Sequence, residues 1–435
     1  MNIRKFILII SSCLLIIGLI GCGNDESTSG KKAKQVVIHF SWWGDTTRNK
    51  VYNSIIKKFE KEHPNIIVKG QSGNWSDYWD KLTTQMAGGN APDIISMHPD
   101  YVSDYARRNG LLDLDKYVDS GVLNLDDFTE SVRDSGKIDE KLYMVSQGVS
   151  LGGQMYNTAL FDQLGVDYPN MNWTWDDFVQ KATDITEALK SKGQSKGHWG
   201  VTDESTDFGL FHNFVREKGK DLYTSDGKLA FDKNDLVEWF TMWDEMREKG
   251  IIPDAATSNE YASVSLEQSL FAKEKVAIAG APGNQLYLYQ QQVKNGKVNM
   301  VRQPTMEDGE NGEYVGGAYL SVSANSKHPR EAAKFIDFFV NSEKSLKIFK
   351  VEQGIPGSTK MTKFVKPLLD PAQRDGVDYV EKALQYAGQS PYPPVGSAEI
   401  TTAFNNAATS IAYGKASIKQ AADHFMTTAG RILNQ

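Results

Sequence analysis

The order of strand-like and helix-like segments after residue 35 is the feature that most constrains the fold. "QVVIHFSWW" is β-branched and aromatic and predicts a strand, and "NKVYNSIIKKFEKEHPN" places its apolar residues on one helical face. "IIVKGQ" predicts a second strand, "SDYWDKLTTQMAGG" a second helix and "APDIISM" a short buried strand. This β-α-β-α-β order predicts an α/β fold with a largely parallel sheet, and ligands of such sheets bind at the carboxyl ends of the strands.

The end of the first predicted strand combines aromatic rings with opposite charges, in "WWGDTTR". Trp42 and Trp43 are consecutive and would point to opposite faces of a strand, so we expect Trp43, nearer the strand end, to reach a ligand and Trp42 to pack in the core. A sugar ring presents an apolar face and a rim of hydroxyls, which flat aromatic side chains and planar polar groups such as Asp45 and Arg48 can bind. The alternative is a core aromatic beside a surface ion pair.

The N-terminal residues predict export and lipid attachment. Residues 1–21 begin with basic residues and continue into an apolar run that is shorter than the roughly 20 residues of a membrane span, which is typical of a signal peptide. "LIGC" resembles a bacterial lipobox and implies an acylated Cys22, and Cys13 would leave with the signal, so Cys22 has no disulfide partner. The alternative is an ordinary signal peptide that contains a cysteine. Residues 22–35 are small, polar and charged, as expected of a flexible tether.

Charge and histidine spacing argue against several other classes of protein. The formal net charge is −7 and becomes more negative when the basic residues of the signal are removed, so a nucleic-acid partner is not expected. The seven histidines are scattered without the spacing of a metal site, and no phosphate-binding loop lies within the fold. We therefore expect neither a metal nor a cofactor.

A hydrolase is the natural rival interpretation. "GVSLG", residues 148–152, matches the G-x-S-x-G nucleophile elbow, which requires a helix directly after Ser150. The next residues, "GGQMYN", predict a strand instead, so a catalytic Ser150 is not favoured.

Several segments together resemble the family 1 extracellular solute-binding proteins, the sugar receptors of ABC importers. The resemblance implies two α/β lobes, a periplasmic-binding-protein-like fold in which each lobe is a mostly parallel sheet flanked by helices and the ligand lies between the lobes. It implies crossings near residues 147–150, 304–316 and 355, with residues 36–147 plus 316–355 in lobe 1 and 148–315 plus 356–435 in lobe 2. The matching segments are "FSWWGDTTR", "IKKFEKEHPNIIVKG", "KLTTQMAGGNAPDIISM", "YARRNGLLDLDKYVDSG", "KLYMVSQGVSLGGQMYNTALFDQLGV", "WTWDDF", "GGAYLSVSANSKHPREAAKFIDFFVNSE" and "GIPG".

The same resemblance implies a set of ligand-binding residues. In the second lobe the family's usual aromatic is replaced by Asn284, and Tyr287 or Trp173 could supply stacking or simply pack. Arg48 could bind a uronate carboxylate or pair with Asp45, so the charge of the ligand stays open. The expected ligand-binding residues are Trp43, Asp45, Arg48, Asn74, Trp75, His98, Asp100, Gln147, Ser150, Tyr156, Asn284, Gly316 and Gly317.

The function implied by the resemblance is capture of an oligosaccharide for import, without catalysis. The protein would be a monomer, lipid-anchored outside the cell, and would deliver its ligand to ABC permease subunits. The "FSWWG" segment is most similar to members associated with plant cell-wall oligosaccharides, including pectin-derived ones. Two alternatives remain: a secreted esterase or glycan hydrolase using Ser150, and a surface adhesin or sensor of the same fold.

Overall fold

The structure is a computed structural model that describes residues 35–44, 46–262, 264–389 and 392–434, and of Ser76 and Asp100 only the backbone. The predicted signal peptide, the lipid-attachment residue Cys22 and nearly all of the tether lie outside this part of the chain. Within it, none of the helices is both long enough and apolar enough to cross a membrane.

Strands and helices alternate along most of the chain. The strands are β1 (Val36–Trp43), β2 (Ile66–Gly73), β3 (Ile94–Met97), β4 (Lys137–Ile138), β5 (Lys141–Leu142), β6 (Val145–Ser150), β7 (Gly152–Asn157), β8 (Trp199–Val201), β9 (Val276–Pro282), β10 (Val298–Val301) and β11 (Gly316–Val322). The α-helices are α1 (Thr46–Glu62), α2 (Trp75–Ala87), α3 (Pro99–Ala106), α4 (Asp115–Asp119), α5 (Glu130–Asp134), α6 (Thr158–Leu164), α7 (Trp175–Ser191), α8 (Phe208–Arg216), α9 (Lys233–Glu248), α10 (Ala255–Tyr261), α11 (Leu286–Gln292), α12 (Pro329–Asn341), α13 (Glu343–Phe349), α14 (Thr359–Val365), α15 (Pro371–Ala383), α16 (Ser397–Ala412) and α17 (Ile418–Leu433).

The first lobe is built on a five-stranded sheet with the order β2-β1-β3-β11-β6. β1 pairs parallel with β2 and with β3, as the β-α-β-α-β pattern predicts. β11 is antiparallel to both of its neighbours, so it is the one reversed strand of this sheet. The carboxyl ends of β1, β2, β3 and β6 therefore share one edge of the sheet with the amino end of β11.

The second lobe is built on a four-stranded sheet with the order β10-β7-β9-β8. β7 is antiparallel to β10 and β9, while β8 runs parallel to β9. Here β7 is the reversed strand, so the carboxyl ends of β8, β9 and β10 share an edge with its amino end. The expected α/β fold with two mostly parallel sheets is confirmed, and in each sheet the reversed strand is the one that the chain enters on crossing from the other lobe.

The crossings join these two edges directly. β6 and β7 are separated by Leu151 alone, and residues 302–315 return the chain from β10 to β11. A third segment runs beside β6, where Val149 and Ile355 exchange backbone hydrogen bonds of 2.7 and 2.8 Å. After this segment α14 packs on α13, and α15 contacts β10 and α11.

Two local predictions explain how the helices are positioned. Thr174 and Asp177 form a reciprocal capping box at the start of α7, which satisfies backbone N–H groups that the first turn leaves open. Trp239 and Trp243 of α9 are fully buried in the second core, as their spacing of four residues predicts.

Candidate ligand-binding site

An exposed tryptophan stands at the shared edge of the first sheet. Trp75 begins α2 directly after β2 and is 41% exposed, whereas Trp43, the last residue of β1, is 7% exposed. The two rings are perpendicular, with centroids 5.1 Å apart, and the ring of His98 lies 5.3 Å from that of Trp75. Trp75 therefore offers a surface to a ligand, while Trp43 supports it from behind. Trp42 is buried in the core, as expected, and donates its indole N–H to Asn49.

Further rings hold Trp75 in place. Trp79 and Tyr101 are stacked, with centroids 3.8 Å apart and an interplanar angle of 10°. Trp75 contacts both rings edge-on, at 5.5 and 5.8 Å. We call Trp43, Trp75, Trp79, His98 and Tyr101 the aromatic wall. Edge-to-face packing of this kind fixes ring orientation, so the exposed ring is preorganised for stacking.

Arg48 lies near the aromatic wall but is held by another side chain. Its Nε donates to both carboxylate oxygens of Glu352, at 2.9 and 3.1 Å, and its Nη1 donates to the carbonyl of Trp43 at 3.1 Å. Both side chains are mostly buried. The sequence suggested Asp45 or a ligand carboxylate as the partner of Arg48; among the described residues, the carboxylate that pairs with it is that of Glu352. Asp45 and the side chain of Asp100 lie outside the described part of the chain.

Asn74 is exposed and caps α2. Its Oδ1 accepts from the backbone N–H of Asp77 at 2.9 Å, and its Nδ2 donates to the carboxylate of Asp77 at 2.6 Å. Asn74 thereby fixes the start of the helix that carries Trp75.

Gln147 faces the core of the first lobe instead of the cleft. Its side chain is 2% exposed and donates from Nε2 to the hydroxyl of Tyr52 at 2.9 Å, and Gln353 donates to the same hydroxyl at 2.6 Å. Gln147 and Gln353 belong to adjacent segments at the crossing, so the Tyr52 hydroxyl ties the two segments to α1. This geometry indicates a structural role for Gln147.

Ser150 and Asn284 meet where the lobes join. The Ser150 hydroxyl donates to Oδ1 of Asn284 at 2.8 Å, and the backbone N–H of Gly283 donates to the carbonyl of Leu151 at 2.9 Å. Ser150 is followed by strand β7 rather than by a helix, so it does not stand on a nucleophile elbow.

Glycines allow the crossing segments to pack backbone against backbone. Gly316 pairs with Ser150 on the edge of the cleft. Gly317 has a φ of +139°, and a Cβ at this position would lie 2.0 Å from the carbonyl oxygen of Gly148. Gly354 has a φ of +125°, and its Cβ would lie 2.4 Å from the carbonyl oxygen of Val149. Gly317 thus shapes the junction of the lobes, whereas Gly316 borders the cleft.

Tyr156 and Trp173 lie away from the other expected ligand-binding residues. Tyr156 is at the far end of β7, where it packs on Phe161 and Tyr168 and its hydroxyl accepts from Asn299. Trp173 is fully buried and donates its indole N–H to the backbone. The structure brings neither to the cleft, which leaves the half-buried Tyr287 as the sequence-derived candidate for stacking in the second lobe.

A polar cluster at the edge of the second sheet was missed by the sequence analysis. Glu204 follows β8, and its carboxylate accepts from Gln154 Nε2 at 2.8 Å, from the hydroxyl of Thr202 at 2.9 Å and from the backbone N–H of Gly280. Gln154 also donates to Oε1 of Gln303 at 3.0 Å, and its own Oε1, although buried, has no hydrogen-bond partner among the described residues. We call Gln154, Glu204 and Gln303 the amide–carboxylate cluster.

Burial changes the acidity of this cluster. Partial burial of the Glu204 side chain raises the pKa of its carboxyl to about 7, and the neighbouring carboxylate of Asp207 adds to the rise. Asp207 caps α8, accepting from the backbone N–H of Leu210 at 2.9 Å. The sequence did carry a signal: "TDESTDFG" places carboxylates directly after a strand, but the three-residue strand β8 was not recognised.

The arrangement is suited to binding a polyhydroxylated ligand. One edge presents an aromatic face and the other presents amide and carboxylate groups, a combination that matches the apolar face and the hydroxyls of a sugar ring. Among the described residues, no group of three or more His, Cys, Asp or Glu side chains is placed to hold a metal ion.

Comparisons with known proteins identify the family. The model of the bacterial extracellular solute-binding protein family matches residues 43–344, more than half of the chain, so the chain belongs to this family. The expected family is confirmed, and its members bind solutes rather than transform them.

Relatives of this chain include sugar-binding proteins. A galactooligosaccharide-binding protein of Bacillus subtilis is 24% identical over 95% of this chain and 93% of its own. A solved family 1 extracellular solute-binding protein of Alicyclobacillus acidocaldarius is 27% identical, covers 92% of this chain and 99% of its own and superposes with a TM-score of 0.74. A periplasmic oligogalacturonide-binding protein of Yersinia enterocolitica shares the fold, with a TM-score of 0.79 at 22% identity and coverage of 92% and 99%.

Proposed function

We propose that this protein is the extracytoplasmic substrate-binding component of an ABC importer and that its ligand is an oligosaccharide. The observation that carries the proposal is the exposed ring of Trp75, held edge-on by buried aromatic residues at the edge where the two lobes join. The sugar-binding names of the relatives support the same ligand class. Binding would favour closure of the lobes, and the closed form would present a surface to the permease.

A titration with recovery of the ligand tests this function. Residues 23–435 are titrated with a panel of oligosaccharides while tryptophan fluorescence is recorded, because Trp75 and Trp43 lie at the site. Each sugar is then recovered and its length is measured. We expect a saturable response to one sugar class, with the ligand intact. Cleaved ligand would establish a hydrolase, and a response to no sugar would contradict the receptor function.

A Ser150→Ala variant separates the receptor from the hydrolase. The Ser150 hydroxyl is bonded to an amide, Asn284, and precedes a strand, so its removal is expected to leave the fold intact and to change affinity only modestly. In a hydrolase that uses Ser150 the same change would abolish turnover.

In a deletion strain, uptake of the bound sugar distinguishes an importer component from an adhesin or sensor, since only the importer component is required for uptake.

The lipid anchor at Cys22 is part of the proposal. It rests on the lipobox-like "LIGC" and the polar tether that follows. Expression of the full chain and its Cys22→Ser variant, followed by detergent phase partition and mass spectrometry of the N-terminal peptide, tests it. We expect the full chain to enter the detergent phase with an acylated Cys22, and the variant to carry no acyl group on residue 22.

A further inference from the structure

We propose that the cleft selects uncharged oligosaccharides and rejects those that carry uronate groups. This inference deepens the proposed function and rests on it. The fold does not decide the matter, because one structure of the same fold holds digalacturonic acid at only 22% identity. The charged groups at the two sheet edges decide whether a neutral or a charged sugar is bound.

Arg48 and Arg302, which lie near the two sheet edges, are both paired with carboxylates of the protein. Arg48 donates to both oxygens of Glu352 from the aromatic-wall side. Next to the amide–carboxylate cluster, Arg302 forms a bidentate pair with Glu313, and its guanidinium lies 3.6 Å from the ring centroid of Tyr386. A bidentate carboxylate uses the same donor geometry that a uronate would need. A uronate would therefore have to displace the buried Glu313 carboxylate from Arg302, and it would compete with Glu352 for the Nε of Arg48.

A third arginine, Arg216, is also paired with a carboxylate of the protein. Arg216 donates from Nη1 to Asp221 at 2.7 Å and from Nε to the carbonyl of Gly312 at 3.0 Å. His212 contacts the same Asp221 carboxylate at 2.7 Å and lies against the ring of Tyr314. The basic groups around the segment that returns the chain to the first lobe are thus matched to internal acids.

The groups at the edge of the second sheet favour hydroxyls over carboxylates. Glu204 is only partly buried, and Asp207 is exposed at the start of α8. The hydroxyl of Tyr314 lies beside this helix start, since a Cβ on Gly209 would be 3.4 Å from it. Carboxylates accept hydrogen bonds from sugar hydroxyls but repel a uronate in a cleft that excludes water.

The side chain of Gln154 independently indicates that the amide–carboxylate cluster is suited to a ligand group that donates a hydrogen bond. Its side chain is 1% exposed, it donates to Glu204 and Gln303, and its Oε1 lacks a partner among the described residues. A buried carbonyl oxygen gains from an incoming hydroxyl donor, whereas an ionised uronate, which only accepts, cannot satisfy it. The unpaired acceptor and the paired arginines therefore point to the same neutral ligand class.

Charged and neutral trisaccharides test the inference at constant length, and the esterified and reduced forms of trigalacturonate also keep its linkage. Trigalacturonate, its fully methyl-esterified form and its carboxyl-reduced form are titrated calorimetrically at pH 7.5 beside neutral gluco-, galacto-, manno- and xylo-trisaccharides. We expect at least one neutral sugar to bind and trigalacturonate to bind at least tenfold more weakly than the tightest neutral one. Trigalacturonate that binds within tenfold of it would overturn the charge inference and leave the receptor function intact. If no sugar of either kind binds, the receptor function itself fails and the inference fails with it.

An isosteric double variant assigns the discrimination to residues. Glu204→Gln with Asp207→Asn removes both charges while keeping side-chain shape and the cap of α8. The Gln154 amide can turn over to match the new amide at position 204, so the variant is expected to fold. We expect the affinity ratio of neutral sugar to trigalacturonate to fall by at least tenfold. An unchanged ratio would overturn the assignment to these two carboxylates.

Discussion

At the scale of single residues, Trp75 and Trp43 touch each other yet have different consequences when removed. Trp75→Ala is expected to weaken oligosaccharide binding by about 1.5–3 kcal/mol, the value of burying one large apolar side chain, since its ring is 41% exposed in this structure. Trp43→Ala instead removes a buried ring and is expected to lower the free energy of unfolding by about 3–5 kcal/mol. Fluorescence-independent calorimetric titration and urea unfolding of both variants check this. Unchanged affinity in Trp75→Ala would contradict the assignment.

A buried carboxyl gives the stability of the protein a defined pH dependence. Glu217 is 2% exposed, and burial raises its pKa from 4.5 to about 8, although Trp175, Asn213 and Met306 donate hydrogen bonds to it. The native state then holds a proton that the unfolded state loses near pH 4.5. Its contribution to stability is therefore present at low pH and is lost as the pH rises from about 4.5 to about 8.

Glu217→Gln removes this dependence. The variant amide keeps one acceptor for Trp175 and Met306, and the Asn213 amide can turn over to accept from the other side. We expect the variant to be more stable than the parent at pH 9 and to lose that advantage at pH 5. Urea unfolding at both pH values measures it, and an equal difference at the two would show that Glu217 does not titrate in this range.

At the scale of elements, the glycines of the crossing strands make the junction of the lobes. Gly317→Ala on β11 would place a Cβ 2.0 Å from the Gly148 carbonyl at a φ of +139°, so strand β11 must separate from β6. Gly165→Ala, at the end of α6, has a φ of +74° but open space around the Cβ and serves as the matched control.

The control isolates backbone strain from steric overlap. We expect Gly165→Ala to cost about 1–2 kcal/mol of unfolding free energy, the usual value for a non-glycine residue in the left-handed region. Gly317→Ala should exceed the control by at least about 2 kcal/mol because the backbone contact is lost as well. Equal costs in urea unfolding would mean that the two strands separate without penalty.

The elements themselves were largely predictable from local patterns, and the site was only partly so. The apolar faces of α1 and α9, the cap at Thr174 and the first three strands follow from spacing that local physics enforces. Whether Trp43 or Trp75 is the exposed ring depends on how α2 packs over β1. The spacing of apolar residues along the chain does not determine this packing. Gln147 was expected at the ligand because it lies at a crossing, but its side chain turns to Tyr52.

The site contacts that could not be predicted from the sequence join residues that are far apart along the chain. Glu352 is 304 residues from Arg48, and Gln303 is 149 residues from Gln154, so neither contact has a local signature. Glu204 follows a strand of three residues, too short for an alternation to be recognised. Site residues at the ends of strands that the sequence predicts could be identified. Their hydrogen-bond partners on the crossing segments could not.

At the scale of the whole molecule, the two lobes already touch in this structure. Tyr392 lies between α15 and α16, helices that pack on the second lobe, and its hydroxyl donates to the backbone carbonyl of Ser135 in the first lobe. The hydroxyl of Tyr319 on β11 donates to Oγ of the same Ser135 at 3.0 Å. α16 also lies against α3. Tyr392 therefore connects the lobes at a point remote in sequence from the crossings.

This contact predicts that Tyr392 stabilises the form in which the lobes touch. Tyr392→Phe keeps the ring but removes one interlobe hydrogen bond, worth about 0.5–1.5 kcal/mol. If the ligand binds the touching form, the apparent affinity falls with the population of that form, by at most about 2- to 12-fold for this energy. The matched control is Tyr168→Phe, which removes a hydroxyl that bonds Asp162 within the second lobe.

Calorimetric titration with the bound oligosaccharide and small-angle scattering with and without it measure both effects. We expect Tyr392→Phe to bind more weakly and to have a larger radius of gyration than the parent when unliganded, with the control unchanged in both. Equal affinity and equal size in the two variants would show that the contact with Ser135 does not bias the lobes.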